Sequence, residues 1–269
     1  MGAIGRPCAA RVPTLSIETL LVSGSGESET PVAVWLANDD LVLHGYRAGD
    51  FGWITIPGLA SFRFAAKGAV KAGPDGGDDA SIRDAWLRSV MPLVIQARGT
   101  QVLHASAVAS DGRVMALCGT STAGKSTLAA GLMQRGYELV ADDALPFDVS
   151  NGAALAFPVP FRLRLRPGAL DSISAEVATP SAGNSFALGV LMILRPDGET
   201  NPPRLLKPAA AVGALMPHAY CFSLDEGKEE LVRAYGDLAS AVPVYELRYE
   251  QQPGALDSIL DTLEELLIG

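Results

Sequence analysis

The sequence predicts an α/β fold with a small N-terminal β-rich region, and three features predict it. The first is an apolar strand at residues 114–118 that runs straight into a glycine-rich loop, Gly119-Thr120-Ser121-Thr122-Ala123-Gly124-Lys125-Ser126. The second is the pair of elements after that loop, a helix and then another apolar strand, Leu139-Val140-Ala141, ending on Asp142-Asp143. Strand, loop, helix and strand in that order make the repeating unit of α/β proteins. The third is composition. Of 269 residues, 48 % are hydrophobic and 19 % charged, enough apolar material for a sizeable core and too little charge for a disordered chain.

Taken in order, residues 1–12 read as a loose tail. From residue 15 to 64 the chain reads as short strands. Segments 32–35, 41–43 and 53–56 are β-branched or aromatic, and Asn38-Asp39-Asp40 and Ala48-Gly49-Asp50 break them, so a small antiparallel region is expected. Residues 71–79 are rich in glycine and aspartate and read as a loop. A helix is predicted from Ser81, as N-cap, to about Gln96; Ile82, Trp86, Leu87, Val90, Leu93 and Val94 recur near a 3.6-residue period. Residues 1–98 therefore form the β-rich region, closed by a helix, and residues 99–269 a second domain.

In that second domain, residues 102–109 read as a strand and Asp111-Gly112 as a turn before the strand at 114–118. The helix after the loop runs from about Lys125 to Gln134 and stops near Gly136, a fitting terminal glycine. Segments 155–165 and 186–194 read as strands, 209–215 and 228–241 as helices, 244–249 as an alternating strand and 256–268 as an amphipathic helix. There is no internal repeat.

The bulk charge narrows the partners. A formal net charge of −9 repels phosphate backbones and anionic lipid, so neither nucleic acid nor membrane is expected as a partner. No stretch reaches the roughly 18 apolar residues that span a bilayer. The N-terminus has no continuous apolar run of the signal-peptide kind. The cysteines, Cys8, Cys118 and Cys221, match no zinc or disulfide spacing and read as free thiols in a reducing compartment. A cytoplasmic protein is the expectation.

The glycine-rich loop carries the chemistry. In Gly-x-x-x-x-Gly-Lys-Ser, between a strand and a helix, backbone N–H groups curl around phosphates and the helix N-terminus adds partial positive charge. The nucleotide-binding set is Gly119, Ser121, Thr122, Ala123, Gly124, Lys125, Ser126 and Thr127. Lys125 reaches the β- and γ-phosphates, and the Ser126 hydroxyl ligates magnesium, so ATP and Mg²⁺ are expected. Asp142 and Asp143 end the next strand, where α/β sheets gather their ligands. One can hold the metal and the other can take a proton from an acceptor hydroxyl, although the pair also suits an ordinary turn. On its residues alone His104 reads as a core histidine, and His44 and His218 have no supporting context. Arg162, Arg164 and Arg166 alternate with leucines; on a strand they would share one face, either a receiver of phosphate or of an acidic acceptor, or a solvated edge.

Three segments together, residues 103–108, 119–127 and 135–143, resemble the C-terminal catalytic domain of HPr kinase/phosphorylase. They also resemble the wider HPr-kinase-like set, which includes kinases found beside lasso-peptide and other peptide-modification systems. The resemblance implies a P-loop kinase core of the HPr kinase/phosphoenolpyruvate carboxykinase-like type and an ATP-dependent serine kinase. It implies catalytic roles for His104, Lys125 and Asp143, and a metal site at Ser126 and Asp142. One signature departs. The Glu-Ile/Val-Arg-Gly run of the HPr enzymes has no counterpart in residues 157–166, which contain no glutamate, so the second magnesium carboxylate, HPr as substrate and phosphorylase activity are not carried over.

The function expected is thus a kinase acting on a serine-type hydroxyl of a peptide or protein. The alternatives are a nucleotide-dependent binding or switch protein that phosphorylates no acceptor, and a small-molecule kinase. Assembly as a homo-oligomer is left open.

Overall fold

The computed structural model of the chain describes residues 13–17, 31, 33–36, 42–163, 177–178, 185–223, 227–252 and 254–268. It is a mixed α/β molecule built on two main sheets.

The first sheet comprises β1 (Leu15–Ile17), β2 (Ala33–Leu36), β3 (Val42–Ala48), β4 (Phe51–Ile56), β5 (Ala60–Ala65) and β6 (Val70–Pro74), in the order β1-β6-β5-β4-β3-β2. All neighbours are antiparallel except β1 and β6. Period-two patterning sets its inner face: Leu43, Ile54, Ile56, Phe62, Val70 and Ala72 are buried. The expected loop at 71–79 is corrected here, because buried Val70 and Ala72 flank Lys71 and make residues 70–74 a strand despite their glycine and proline.

The predicted helix is present but starts earlier. It runs as α1 (Asp79–Ala85), a π-helical stretch at Trp86–Val90, and α2 (Met91–Ala97). Ser81 is not its N-cap. Asp78, in extended backbone, caps it, and its carboxylate accepts the Ser81 N–H at 2.7 Å. The widened turn has a local cause. Pro92 has no N–H to give the Arg88 carbonyl, and its ring crowds that carbonyl. Met91 N–H instead reaches back to Trp86, the five-residue step of a π turn.

The second sheet holds β7 (Gln101–Leu103), β8 (Ala105–Ser110), β9 (Arg113–Cys118), β10 (Glu138–Ala141), β11 (Leu145–Ser150) and β12 (Ala153–Ala156), with α3 (Lys125–Gln134) between β9 and β10. A small pair, β13 (Phe161–Arg162) and β14 (Val177–Ala178), stands apart. The chain then gives β15 (Phe186–Arg195), β16 (Arg204–Leu205), α4 (Pro208–Leu215), α5 (Lys228–Ala241), β17 (Val244–Arg248) and α6 (Leu256–Ile268). Among the described residues the sheet has nine strands, ordered β10-β8-β9-β15-β12-β11-β7, with β17 beside β15 and β16 beside β17.

Alternation along the central strands builds three layers. Val114, Ala116 and Cys118 face α4 and α5, whereas Met115 and Leu117 face α3 and α6. A strand buried on both faces reads as a continuous apolar run, as residues 114–118 do.

Two predicted strands are corrected. Residues 102–109 are two strands, not one. The break falls at His104, where the chain leaves β11 as partner and takes β9 and β10. Residues 155–165 are also split, because Pro158 and Pro160 cannot donate to a ladder, and β12 ends at Ala156. The hairpin of β11 and β12 was not expected. It turns on Asn151-Gly152, both left-handed at φ 53° and 76°, the turn that matches strand twist. Arg162 sits exposed between buried Phe161 and Leu163. Arg164, Arg166 and Cys8 lie outside the described residues.

Candidate active site

Topology gathers the candidate residues at one end of the second sheet. β9, β15 and β17 run parallel, and β10 shares their direction because both β9 and β10 are antiparallel to β8. Their carboxyl ends therefore bring together the 119–126 loop, Asp142-Asp143 and residues 249–251. β8 runs the other way, so its start brings His104 and Ser106 to the same end. Crevices at strand carboxyl ends are where open α/β sheets bind ligands.

The loop is tightly wound. Ala123 N–H closes a turn onto the Thr120 carbonyl at 3.1 Å, and Thr122 and Gly124 are left-handed at φ 74° and 83°. That region is ordinary for glycine but costly for a β-branched threonine. A Cβ on Gly119 would stand 2.8 Å from Ala123 Cβ and 3.3 Å from the Leu194 carbonyl, so only glycine lets the loop leave the sheet here. α3 then starts at Lys125, and the N–H groups of its first turn, at Lys125, Ser126 and Thr127, have no intrahelical partner. Ser121 is exposed on the loop's crest.

Lys125 is 6 % exposed and folds back on the loop, its Nζ donating to the Gly119 carbonyl at 3.0 Å and the Thr120 carbonyl at 3.2 Å. Burial lowers its pKa, against the opposing charges of Asp143, Cys118 and Asp142. Two hydroxyls converge on Asp142: Ser106 Oγ donates to Oδ1 at 2.6 Å and Ser126 Oγ to the same oxygen at 2.8 Å. Asp142 is only 4 % exposed. Burial, followed by the neighbouring Asp143 charge, pushes its pKa up to about 6 despite those two bonds and Lys125. A carboxylate and a hydroxyl this close form a hard-oxygen pair. It fits Mg²⁺, which takes such oxygens and completes its shell with phosphate and water.

Asp143 is held differently. Its backbone is left-handed at φ 65°, and its carbonyl accepts the Tyr220 hydroxyl at 3.2 Å. Oδ1 lies 3.6 Å from His104 Nε2 and Oδ2 lies 3.5 Å from Arg88 Nε. Burial alone would raise its pKa. The close approach of His104 and the charges of His104, Arg88 and Lys125 outweigh burial and keep Asp143 below the usual carboxylate value. Two adjacent aspartates are thus shifted in opposite directions, the kind of divergence that marks a candidate functional site.

His104 is fixed by its own N–H to the His218 carbonyl at 2.7 Å and by an edge contact with Tyr220, ring centroids 5.9 Å apart. His218 is buried, which lowers its pKa to about 4 and leaves it neutral. Cys118 ends β9 beneath Lys125; burial pushes its thiol up to about 12, so it is no nucleophile. Of the three predicted arginines, Arg162 meets Asp84 at 3.5 Å, and Asp84 in turn lies 3.9 Å from Arg88. Among the described residues, no group of three or more His, Cys, Asp or Glu forms a separate metal cluster, and no helix is long and apolar enough to cross a membrane.

Sequence reasoning brought His104, Lys125, Ser126, Asp142 and Asp143 to one place, and the structure does the same. It missed Arg88, Ser106, Tyr220, Tyr249 and Gln251. Ser106 had a signal, a hydroxyl in the middle of an alanine- and valine-rich strand. Arg88 had a weaker one, an arginine four residues before a proline in a helix.

No family model matches this chain, and no curated protein matches it. Among solved structures, the HPr(Ser) kinase/phosphatase from Coxiella burnetii is similar over 61 % of this chain and 89 % of that one, at 16 % identity and a TM-score of 0.37. A likeness at that level carries nothing about ligand or reaction.

Proposed function

We propose that this protein is an ATP- and Mg²⁺-dependent kinase that transfers the γ-phosphoryl group to a serine-type hydroxyl of a peptide or protein. The observation that carries the reading is the convergence of Ser126 Oγ on Asp142 Oδ1 at 2.8 Å, at the root of the 119–126 loop, with Asp143 next in the chain. In this reading residues 99–269 are a P-loop catalytic domain of the HPr kinase/phosphoenolpyruvate carboxykinase-like type. Residues 1–98 are a β-rich region whose helix lends Arg88. The serine and peptide character of the acceptor rests on the resemblance of residues 102–143.

The roles divide by environment. The loop's backbone N–H groups, with Gly119, Ser121, Thr122, Ala123, Gly124 and Thr127, receive the phosphates. Lys125 lets go of the two loop carbonyls and turns its charge to the β- and γ-phosphates. Ser126 and Asp142 would hold Mg²⁺, which when bound neutralises charge on the phosphate oxygens. Asp143 accepts the acceptor's proton as that oxygen bonds to the γ-phosphorus and the β–γ bridge bond breaks to release ADP. His104 and Arg88, one on each carboxylate oxygen, aim Asp143 and keep it ionised. Arg162, exposed and beside Asp84, would meet an acidic acceptor. Such a kinase belongs in the cytoplasm, where ATP is supplied.

Positioned bases contribute about 10²- to 10⁴-fold. Asp143→Asn keeps the shape and tolerates the left-handed backbone, so it should lower transfer to acceptor peptides by at least about 10²-fold while nucleotide binding persists. Equal transfer by the variant and the parent, measured with labelled ATP, removes Asp143 as base. Steady ATP hydrolysis without any acceptor, unchanged in that variant, would favour a nucleotide switch.

A further inference from the structure

We infer that Tyr249 and Gln251, just past β17, are positioning residues that clamp the 119–126 loop in the form that receives phosphate. The inference rests on the nucleotide-binding reading above and adds two side chains to it.

Two consecutive peptide groups of the loop are pinned from outside by their carbonyls. The Tyr249 hydroxyl donates to the Ala123 carbonyl, and Gln251 Nε2 donates to the Thr122 carbonyl at 2.8 Å. These are the carbonyls on either side of Ala123, between the left-handed Thr122 and the left-handed Gly124. A peptide group is planar with its N–H and C=O opposed, so fixing each carbonyl fixes the direction of the next N–H. With the Thr122 and Ala123 carbonyls held toward β17, the N–H groups of Ala123 and Gly124 face away from it. The first serves the turn to Thr120, and the second points to the side opposite the Tyr249 hydroxyl.

The tyrosine half of the clamp is held by the core. Tyr249 is 3 % exposed within the core shared by β17, α3 and α6, and its own N–H is tied to the Arg195 carbonyl at 3.0 Å. Gly124 is matched to it: a Cβ there would stand 3.2 Å from the Tyr249 hydroxyl and 3.8 Å from Gln251 Nε2. Gly124 is thus needed for its positive φ and for the seat of the tyrosine. The left-handed Thr122 costs conformational energy that these two bonds offset. Without them the loop is free to relax, and its N–H groups lose their common direction.

The test uses the full chain with Tyr249→Phe and Gln251→Met, read by amide hydrogen exchange of residues 119–126 without nucleotide, and by titration with a fluorescent ATP analogue plus Mg²⁺. Each variant should speed exchange in that segment about tenfold, leave the strand at 113–118 protected, and weaken nucleotide binding about tenfold. Gln251 is exposed, so its variant keeps the fold even where the tyrosine change disturbs packing. Loop exchange equal to the parent's in Gln251→Met, or a rise spread over the whole chain in both variants, overturns the clamp. Absence of nucleotide binding by the parent protein would instead overturn the functional reading, while the exchange result still decides the clamp.

Discussion

Asp142 and Asp143 show how far one residue's surroundings decide its role. Both sit at the end of one strand, yet burial raises one and cationic neighbours lower the other. The raised member has a consequence for stability. With a folded pKa of about 6 against an ordinary 3.8, folded Asp142 binds more proton than the unfolded chain between those values. Stability therefore falls as pH rises through that window, and ionised Asp142 is a standing cost above it, on the order of 3 kcal/mol. In metal- and nucleotide-free protein, Asp142→Asn should raise the melting temperature at pH 7.5 and leave it nearly unchanged at pH 4. Calorimetry at the two pH values checks this; a lower melting temperature at pH 7.5 would show that Asp142 is stabilised rather than strained. The same variant should lose phosphoryl transfer, the common cost of stabilising a site. At this scale the sequence was legible where function is local. Lys125 and Ser126 follow from loop spacing and Asp142-Asp143 from a strand end. Arg88, Tyr249 and Gln251 reach the site through tertiary packing, which no spacing encodes.

At the level of elements, strong periodicity gave the right type nearly everywhere. α3, α4, α5 and α6 lie where their apolar spacing or glycine stops placed them. At the strand of residues 70–74 the apolar alternation overrode local glycine and proline, whereas two misses in the helix at 79–97 come from a local device that overrides the pattern. Asp78 outcompetes Ser81 as cap because it stands in extended backbone with its carboxylate over the first turn. Asp78→Ala should therefore lower the urea midpoint, whereas Ser81→Ala should leave it almost unchanged; the reverse order would restore Ser81 as the cap. Pro92 is the second device. It opens the π turn at Trp86–Val90 that carries Arg88, and π turns recur at functional sites. Pro92→Ala restores a donor for the Arg88 carbonyl and lets the turn close to an α turn. The expected result is equal or higher thermal stability with several-fold slower phosphoryl transfer. Unchanged transfer would mean that Arg88 does not depend on that turn.

Across the whole molecule, the two sheets do not keep separate cores. Val102, Ala144, Val159 and Phe222, all beyond residue 98, are buried in one cluster with Leu43, Ile54, Phe62 and Trp86. The Gln96 side chain accepts the Phe222 N–H at 2.7 Å, and the Phe64 and Phe222 rings meet edge-on at 5.3 Å. Arg88 crosses the same boundary to Asp143. A shared core and a shared site predict one cooperative transition, and the tryptophans make it measurable. All three, Trp35, Trp53 and Trp86, precede residue 98, whereas the glycine-rich loop begins at Gly119. Tryptophan fluorescence thus reports the N-terminal region, and the proposed nucleotide site lies in the other. Ligand bound only by the folded protein stabilises it by about 2.7 kcal/mol at a concentration of 100 Kd. With saturating ATP and Mg²⁺, the fluorescence melt and the circular-dichroism melt should rise together by the same increment. Phe222→Ala, which empties a fully buried site at the boundary and should cost about 3–5 kcal/mol, should lower both together. A fluorescence midpoint that ignores nucleotide would separate the two halves, and with them the claim that the helix at 79–97 belongs to the site.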